Sequence, residues 1–386
     1  MRALRLLLAG VGAALLVGCA GAPPSAAKPS LFHDGLFQPP TSRVSTDEVL
    51  AVSDAMRHYL KVEIAAQIAS RGPQAGLAHA FSQKGQLKLE YDAARTKTAA
   101  EAFEARSGNC LSLVVLTAAL ARELNLSVTF QSAELEATWS RIGGLLFASG
   151  HVNITLAPRM AQVGAQRDIS LLTIDFLPPD DIRRMRTRVI SQATVLAMYA
   201  NNRAVEALAA NAIDDAYAWA GEALRRDPGF IAAYNTLGVV YLRHGNLGEA
   251  AQVFEHVLGL EPQHTRALAN LAETYSRQGR GAAEAEVRQR LAVLEPLAPF
   301  HDFNLGMEAM QRGDYRAARD LFAREVARAG HYHEFHFWLA VASAQLGDLA
   351  AARKHLALAL ENSTTSVQHE LYAGKLARLK SAGREQ

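Results

Sequence analysis

The 386-residue sequence predicts an α+β region, built on a buried helix and an antiparallel sheet, followed by an all-α solenoid. Two observations predict this division. Residues 46–181 combine a helix that is apolar on nearly every side with later segments of strand-like alternation. From about residue 195 the sequence is alanine-rich and repeats at a fixed interval. With 49% apolar residues, the chain can bury enough surface to form packed cores.

The overall charge excludes one class of partner. The chain has 40 basic and 38 acidic side chains and a net charge of +2, so no excess of cations is available to neutralise a phosphate backbone. We therefore expect no nucleic-acid partner. The two cysteines are too few for a disulfide scaffold.

The N-terminus has the pattern of a secretory signal. Arg2 and Arg5 precede an uncharged apolar run over residues 6–17, which is too short to span a bilayer. The run ends in Leu-Val-Gly followed by Cys19, and this ending resembles the lipobox of bacterial lipoproteins. The alternative is an ordinary signal peptide with an incidental cysteine.

The lipobox resemblance implies an anchored protein of the cell envelope. By that resemblance residues 1–18 are a signal peptide, Cys19 carries the lipid, and the membrane is a partner through this anchor. Ala20, where an aspartate is absent, implies the outer membrane, with the protein facing the periplasm. Residues 19–45 are rich in proline and small residues, which predicts an extended tether.

The α+β region begins with helical patterns. Apolar spacing predicts a helix over residues 46–70, and a second over residues 96–105. Gly108 and Asn109 then provide a turn and an N-cap for the apolar helix that starts near Cys110. Alternation around Val128 and Phe130, and the runs over residues 145–156 and 171–176, predict three strands. The basic run over residues 183–188 is typical of a solvated helix that leads into the repeats.

Cys110 is the thiol that remains if Cys19 is lipidated, so it has no disulfide partner within the chain. The first turn of a helix favours the thiolate form because backbone donors and the helix dipole stabilise negative charge there. A nucleophile also needs a base and a group that orients the base. His151 and Asp175 lie in successive predicted strands, which can place both side chains near that helix end.

Cysteine at the start of an apolar helix, followed by histidine and aspartate on successive strands, resembles the transglutaminase-like superfamily of papain-fold cysteine enzymes. The resemblance implies that Cys110 is the nucleophile, His151 the general base and later acid, and Asp175 the residue that fixes the imidazole tautomer. It also implies acyl transfer from an amide to water or to another amine. Asp168 is a weaker alternative to Asp175. The superfamily also contains inactive scaffolds.

One family feature is missing. Members often have a tryptophan or polar side chain upstream of the cysteine for the oxyanion hole, but all three tryptophans follow Cys110. Gln83, Gln86 and Tyr91 are upstream candidates without a motif, so the role stays unassigned. Each site residue also has an ordinary structural alternative: a small apolar cysteine, a structural histidine, a strand-end aspartate.

The C-terminal half repeats with a period of 34 residues, marked by Pro228, Pro262 and Pro296. This period and the residues between the prolines resemble the tetratricopeptide repeat. The best copy contains the following motif residues: Tyr234, Leu237, Gly238, Tyr241, Ala250, Phe254 and Pro262. We expect about five repeats over residues 195–364, with a capping helix and tail over residues 365–386.

These patterns predict an envelope lipoprotein with a transglutaminase-like acyl-transfer or amide-hydrolase domain and a solenoid that binds a protein or peptide. The alternative is a non-catalytic scaffold lipoprotein for envelope assembly. No cofactor or metal is expected. His331, His333 and His336 are spaced so that they fall on different faces of a helix, which argues against a metal site. Recurring asparagines such as Asn235 and Asn270 are expected to bond between repeat helices.

Overall fold

The structure is a computed structural model that describes residues 28–82, 87–134, 139–142, 145–148, 151–158, 171–176, 186–295 and 300–382. The signal peptide, Cys19, Gln83, Gln86, Asp168 and Pro296 lie outside the described residues. Within the described ranges, no helix has both the length and the apolarity to cross a membrane.

The α-helices described before the main sheet are α1 Asp54–His58, continued by the π-helical turn Tyr59–Glu63, then α2 Ala65–Arg71, α3 Pro73–Ser82, α4 Ala99–Ala105 and α5 Cys110–Glu123. The continuous helix expected over residues 46–70 is instead split, because Ser53 caps α1 and the helical conformation is interrupted at Ile64. Helix α4 starts at Ala99, where Thr98 and Glu101 form a capping box.

The strands of the α+β region are β1 Glu90–Tyr91, β2 Ser107–Gly108, β3 Leu126–Glu134, β4 Trp139–Ile142, β5 Leu145–Ala148, β6 His151–Pro158, β7 Leu172–Ile174 and β8 Arg186–Ile190. The main sheet is antiparallel in the order β7–β6–β3–β8. The short strands β1 and β2 pair in parallel, and β4 pairs with β5.

Helix α5 packs against β3 and β6 and is buried along its whole apolar stretch. The expected strand over residues 145–156 is divided into β5 and β6. Arg186 and Arg188 belong to β8, although a basic run is typical of a solvated helix; their strand conformation comes from pairing with β3.

The described C-terminal part consists of α6 Gln192–Ala209, α7 Ile213–Arg226, α8 Ile231–His244, α9 Leu247–Leu260, α10 Thr265–Arg277, α11 Gly281–Leu294, α12 His301–Gln311, α13 Tyr315–Arg328, α14 His333–Gln345, α15 Leu349–Glu361 and α16 Ser366–Ala382. Successive helices pack in pairs, and α16 packs on α15. This part of the chain is a solenoid of stacked helix pairs.

The helix pairs approach closely where the motif has glycine. A Cβ on Gly238 would overlap the ring of Phe254 in the partner helix. In the later copy, a Cβ on Gly306 would lie 2.6 Å from Phe322. Both phenylalanines are fully buried. Glycine is therefore required by the distance between the paired helices, and the large ring fills the space that it leaves.

The apolar core is divided along the chain. One cluster extends from Leu31 to Val287 and joins the α+β region to the first three helix pairs. After residue 300, the described residues form two separate clusters, one that includes Phe322 and one that includes Leu356. The α+β region and the early repeats are therefore one packing unit.

Part of the expected tether is packed against the solenoid. From Leu31 onward the chain lies on α7 and α8, and Phe37 stacks on Tyr217 at a ring-centroid distance of 3.9 Å. The proline-rich composition predicted an extended segment. The tertiary structure fixes residues 28–45 on a surface because apolar and aromatic side chains find partners there.

Candidate functional site

Cys110 is the first residue of α5, and the chain around it is held by a dense set of contacts. The Asn109 side chain accepts hydrogen bonds from the Ser112 backbone N–H (2.9 Å) and from its hydroxyl (2.8 Å). Asn109 also donates to the Thr96 hydroxyl at 2.8 Å. A Cβ on Gly108 would lie 2.6 Å from the Ser112 Cβ, so the turn needs glycine. Cys110 is a free, half-buried cysteine at the positive end of a buried helix.

His151 is the first residue of β6, and Asp175 directly follows β7. The two strands pair with Ile154 opposite Ile174, so residue 153 lies opposite residue 175 and residue 151 points to the same face. The His151 Nε2 is 2.8 Å from Asp175 Oδ1 and 2.9 Å from Oδ2. Their side chains are only 3% and 5% exposed. The sheet register therefore brings together two residues that are 24 positions apart.

Asn153 adds a second contact to this carboxylate. Its Nδ2 donates to Asp175 Oδ2 at 3.1 Å, and the residue is buried. Because Asn153 and His151 bind the same carboxylate from one strand, they restrict its rotation. No sequence motif singles out Asn153; its position two residues after His151 on the same strand face was the available signal.

The electrostatics of His151 depend on both partners. Burial lowers the pKa of His151, but hydrogen bonds to Asp175 and Cys110 and the charges of both outweigh burial and raise that pKa to about 9. Since Asp175 occupies Nε2, Nδ1 is left for Cys110. An imidazolium near neutral pH is the counter-ion that stabilises a thiolate.

Tyr91 is the upstream candidate that the structure places beside Cys110. Strand β1 pairs in parallel with β2, with Tyr91 opposite Gly108, two residues before Cys110. Burial and the negative charges of Cys110 and Asp92 raise the pKa of Tyr91 well above its ordinary value. Its hydroxyl therefore keeps its proton and remains a hydrogen-bond donor.

Lys97 holds the loop between β1 and α4. Its Nζ lies 3.3 Å from Asp92 Oδ2 and donates to Ser107 O and Oγ at 3.1 and 3.0 Å. The Lys97 backbone N–H donates to Ser112 Oγ at 2.8 Å. This cluster ties the loop to β2 and α5, next to Cys110. It carries no sequence signal because the partners are 5 to 15 residues apart without a motif.

The same loop also contacts both ends of the solenoid. The Thr96 backbone N–H donates to Glu206 of α6 at 2.7 Å. The Ala93 backbone N–H donates to the Thr364 carbonyl, between α15 and α16, at 2.7 Å. The candidate site is thus bordered by the first and the last part of the repeats.

Two sequence predictions concern the repeats. Asn270 Nδ2 donates to Asn235 Oδ1 at 3.2 Å, which is the expected bond between neighbouring repeats. His333 and His336 have separate partners: His333 Nδ1 lies 2.9 Å from the Tyr372 hydroxyl, and His336 Nδ1 lies 3.1 Å from His355 Nδ1. Among the described residues, no cluster of three or more possible metal ligands is present.

Comparisons with known proteins concern the repeats. A tetratricopeptide-repeat family model matches residues 200–260 and 303–367, and a second tetratricopeptide-repeat model matches residues 241–292. These matches identify the C-terminal helices as tetratricopeptide repeats. A search of curated proteins found no match.

Several solved structures are similar to part of the chain. YrrB, described as a tetratricopeptide-repeat protein with an unusual peptide-binding site, is 22% identical over 47% of this chain and 92% of its own, with a TM-score of 0.25. A thermophilic tetratricopeptide-repeat protein of Thermus thermophilus is 21% identical over 47% of this chain and 99% of its own, with a TM-score of 0.29. A crystal structure of MamA is 17% identical over 45% and 93%, with a TM-score of 0.26.

Proposed function

We propose that this protein is an envelope lipoprotein in which the α+β region is a transglutaminase-like, papain-fold cysteine enzyme and the tetratricopeptide repeats bind a protein or peptide partner. One observation supports the enzyme most strongly: His151 is hydrogen-bonded to Asp175 through Nε2 and is also hydrogen-bonded to Cys110. The three residues come from α5, β6 and the end of β7, so sheet register and helix packing must cooperate to join them.

The proposed reaction is acyl transfer from an amide. The Cys110 thiolate attacks the carbonyl carbon, so a C–S bond forms and the carbonyl oxygen becomes negative. The His151 imidazolium gives its proton to the amide nitrogen, the C–N bond breaks, and the amine leaves. Water or a second amine then attacks the thioester while His151 accepts a proton. The C–S bond breaks, the acyl product leaves, and the Cys110 thiolate and the His151 imidazolium are restored.

Each neighbour has a defined part in this reaction. Asp175 positions the imidazole and stabilises its positive charge, and Asn153 positions Asp175. The α5 N-terminus supplies backbone donors near the developing oxyanion. The Tyr91 hydroxyl, carried by the strand that pairs with β2, is a further donor for that oxyanion.

The repeats support partner binding. Tetratricopeptide repeats stack into a continuous surface that other chains can occupy. The Ala93–Thr364 contact brings the last repeat to the loop beside Cys110, which supports presentation of a bound partner to the site. The non-catalytic scaffold is the second candidate, and it rests on the repeats alone.

A thiol-reactive probe separates these two functions. In the folded protein at neutral pH, we expect a haloacetamide to alkylate Cys110 at least about tenfold faster than a free model thiol, because the thiolate is stabilised as an ion pair. His151→Ala and His151→Gln should abolish this excess rate, while His301→Ala, at an exposed histidine in the repeats, should keep it. Ordinary labelling in the wild type would contradict the enzyme and leave the scaffold.

The lipid anchor and outer-membrane location need their own test. Mass spectrometry of the mature chain should find a diacylated Cys19 at the N-terminus, and the protein should fractionate with outer membranes. Cys19→Ala should release the chain into the soluble fraction. An intact, unmodified N-terminus in the wild type would contradict this part of the proposal.

A further inference from the structure

We name the segment of residues 28–47 the clasp. It is bound along most of its length to the first two repeats, which are the helix pairs α6–α7 and α8–α9. Phe37 lies in an aromatic site, with its ring centroid 3.9 Å from that of Tyr217, 4.7 Å from His244 and 5.7 Å from Tyr241. The Phe37 and Tyr217 planes are 10° from parallel. Leu31 is buried in the same surface. The clasp therefore has an apolar component that resists release.

The clasp backbone is also hydrogen-bonded by repeat side chains. The His33 N–H donates to the hydroxyls of Tyr217 (3.0 Å) and Tyr241 (3.1 Å). The Tyr241 hydroxyl donates to the Leu31 carbonyl at 2.9 Å, and the Tyr217 hydroxyl donates to Asp34 at 2.7 Å. Both tyrosines are buried with the clasp in place, so release of the clasp would break these hydrogen bonds and expose the two rings to water.

Acidic residues of α7 bind the second half of the clasp. The Gln38 N–H donates to Asp214 at 2.9 Å, and the Thr41 N–H and hydroxyl both donate to Asp215 at 2.6 Å. The Thr46 hydroxyl donates to buried Glu222 at 2.8 Å. Between Thr41 and Thr46 the chain is less tightly held: Ser42 and Arg43 are exposed.

The position of Lys28 limits the distance between an anchored Cys19 and the solenoid. Lys28 is nine residues after Cys19, and an extended chain covers about 30 Å over that length. A tether that was free as far as residue 47 would instead reach about 95 Å. Docking of the clasp therefore shortens the maximal reach about threefold.

We infer that the docked clasp holds the surface formed by α7, α8 and the clasp close to a membrane, because its first residue, Lys28, is at most about 30 Å from the lipidated Cys19. The partner of this surface is a lipid bilayer. The inference rests on the proposed lipid anchor at Cys19. It gives the solenoid a short attachment, which keeps the first two repeats near the membrane.

The test compares the same insertion at two positions in the full, lipidated chain. A donor dye is placed on Gly248→Cys in a Cys110→Ser background, because Gly248 is exposed at the start of α9 and has open space for a side chain. The protein is bound to phosphatidylcholine vesicles that carry an acceptor dye on their headgroups. Energy transfer then reports the distance between the solenoid and the membrane.

An insertion of about 24 Gly/Ser residues between positions 27 and 28 should lower energy transfer severalfold, because it lengthens the chain before the clasp. The identical insertion between Ser42 and Arg43 should leave transfer unchanged, because it lies after most of the clasp contacts. Equal losses from both insertions would overturn the inference, since a free tether responds alike at both positions. The inference would also be overturned if neither insertion changed energy transfer.

A vesicle flotation assay distinguishes failure of the lipid anchor from failure of clasp docking. Protein that fails to float with vesicles refutes the anchor at Cys19, and with it the position of the first two repeats near the membrane. Protein that floats but responds equally to both insertions refutes only the docked clasp. As a variant without insertion, Phe37→Ala should lower transfer, while Leu36→Ala should not, because Leu36 is 38% exposed in the same segment.

Discussion

The α+β region and the solenoid organise their important residues in different ways. In the solenoid, Gly238 and Phe254 form one close helix contact, and Gly306 and Phe322 form an equivalent contact in a later copy. In the α+β region, Cys110, His151 and Asp175 come together once, from three elements. Repetition makes each solenoid contact visible in the sequence, whereas the candidate site depends on a single arrangement of the sheet.

The core clusters extend this contrast. The candidate site and the first three repeats share one apolar cluster, whereas the described repeats after residue 300 form separate clusters. The boundary that matters for packing therefore lies inside the solenoid, and the change in secondary structure near residue 191 does not coincide with it. Damage in the early repeats should reach the site through the shared apolar core, while damage around Phe322 has no such core connection to it.

The largest effect is expected from two matched core truncations. Phe254→Ala and Phe322→Ala should each lower the local free energy of unfolding by about 3–5 kcal/mol, because each removes a fully buried ring. Only Phe254→Ala should also reduce hydrogen-exchange protection in α5 and β6. Hydrogen exchange with mass spectrometry measures both regions. If both substitutions reduced protection in α5 and β6 equally, the division of the apolar core into separate clusters would be contradicted.

The next effect concerns the charge of Asp175. In Asp175→Asn the pKa of His151 should fall toward its ordinary value of 6.5, because the hydrogen bond to a carboxylate and the negative charge of that carboxylate are both lost. The imidazolium-dependent alkylation of Cys110 should then fall about tenfold at pH 7.5, where an imidazole with a pKa of 6.5 is only about a tenth protonated. A pH profile of alkylation measures the shift. Asn153→Ala, which keeps the carboxylate, should shift the profile less.

The same histidine links stability to pH. The pKa of His151 is raised in the folded protein, so its stabilising contribution is complete below about pH 6.5 and is lost as pH rises through about 9. Urea unfolding at pH 6 and pH 9 should therefore show a larger pH-dependent loss in the wild type than in Asp175→Asn. An identical loss in both proteins would contradict the role of this pair.

A smaller effect is expected from the Tyr91 hydroxyl. Acylation of Cys110 by an activated ester develops an oxyanion, whereas alkylation by a haloacetamide does not. Tyr91→Phe should therefore slow acylation about fivefold and leave alkylation nearly unchanged, since one hydrogen bond is worth about 1 kcal/mol. The rate with the activated ester and the rate with the haloacetamide are each measured for the wild type and for Tyr91→Phe. Equal slowing of both would indicate a packing role for Tyr91.

The smallest effect belongs to the solenoid. Asn270→Ala removes the hydrogen bond to Asn235 and should lower the stability of the adjoining repeats by about 1 kcal/mol. Cys110 alkylation should not change. Denaturant unfolding combined with the thiol assay checks both statements. A loss above about 3 kcal/mol would indicate that this pair supports a larger network than its one bond.

Local patterns in the chain are enough to predict the paired helices of the solenoid and the start of α5. A period of 34 residues predicts paired helices because each small or large residue has the same neighbour in every copy. The start of α5 at Cys110 was also predictable, since Gly108 and Asn109 are local turn and capping residues. These features depend on contacts within a few residues or on a repeated unit.

The meeting of distant segments depends instead on tertiary packing. The basic run at Arg186 became strand β8 because β3 offered a free edge, and the proline-rich segment became the clasp because Tyr217 and Tyr241 offered it a surface. The contact between His151 and Asp175 likewise depends on the register of β6 and β7. Such contacts join residues that no local pattern relates, so their free energy exists only once the chain has folded.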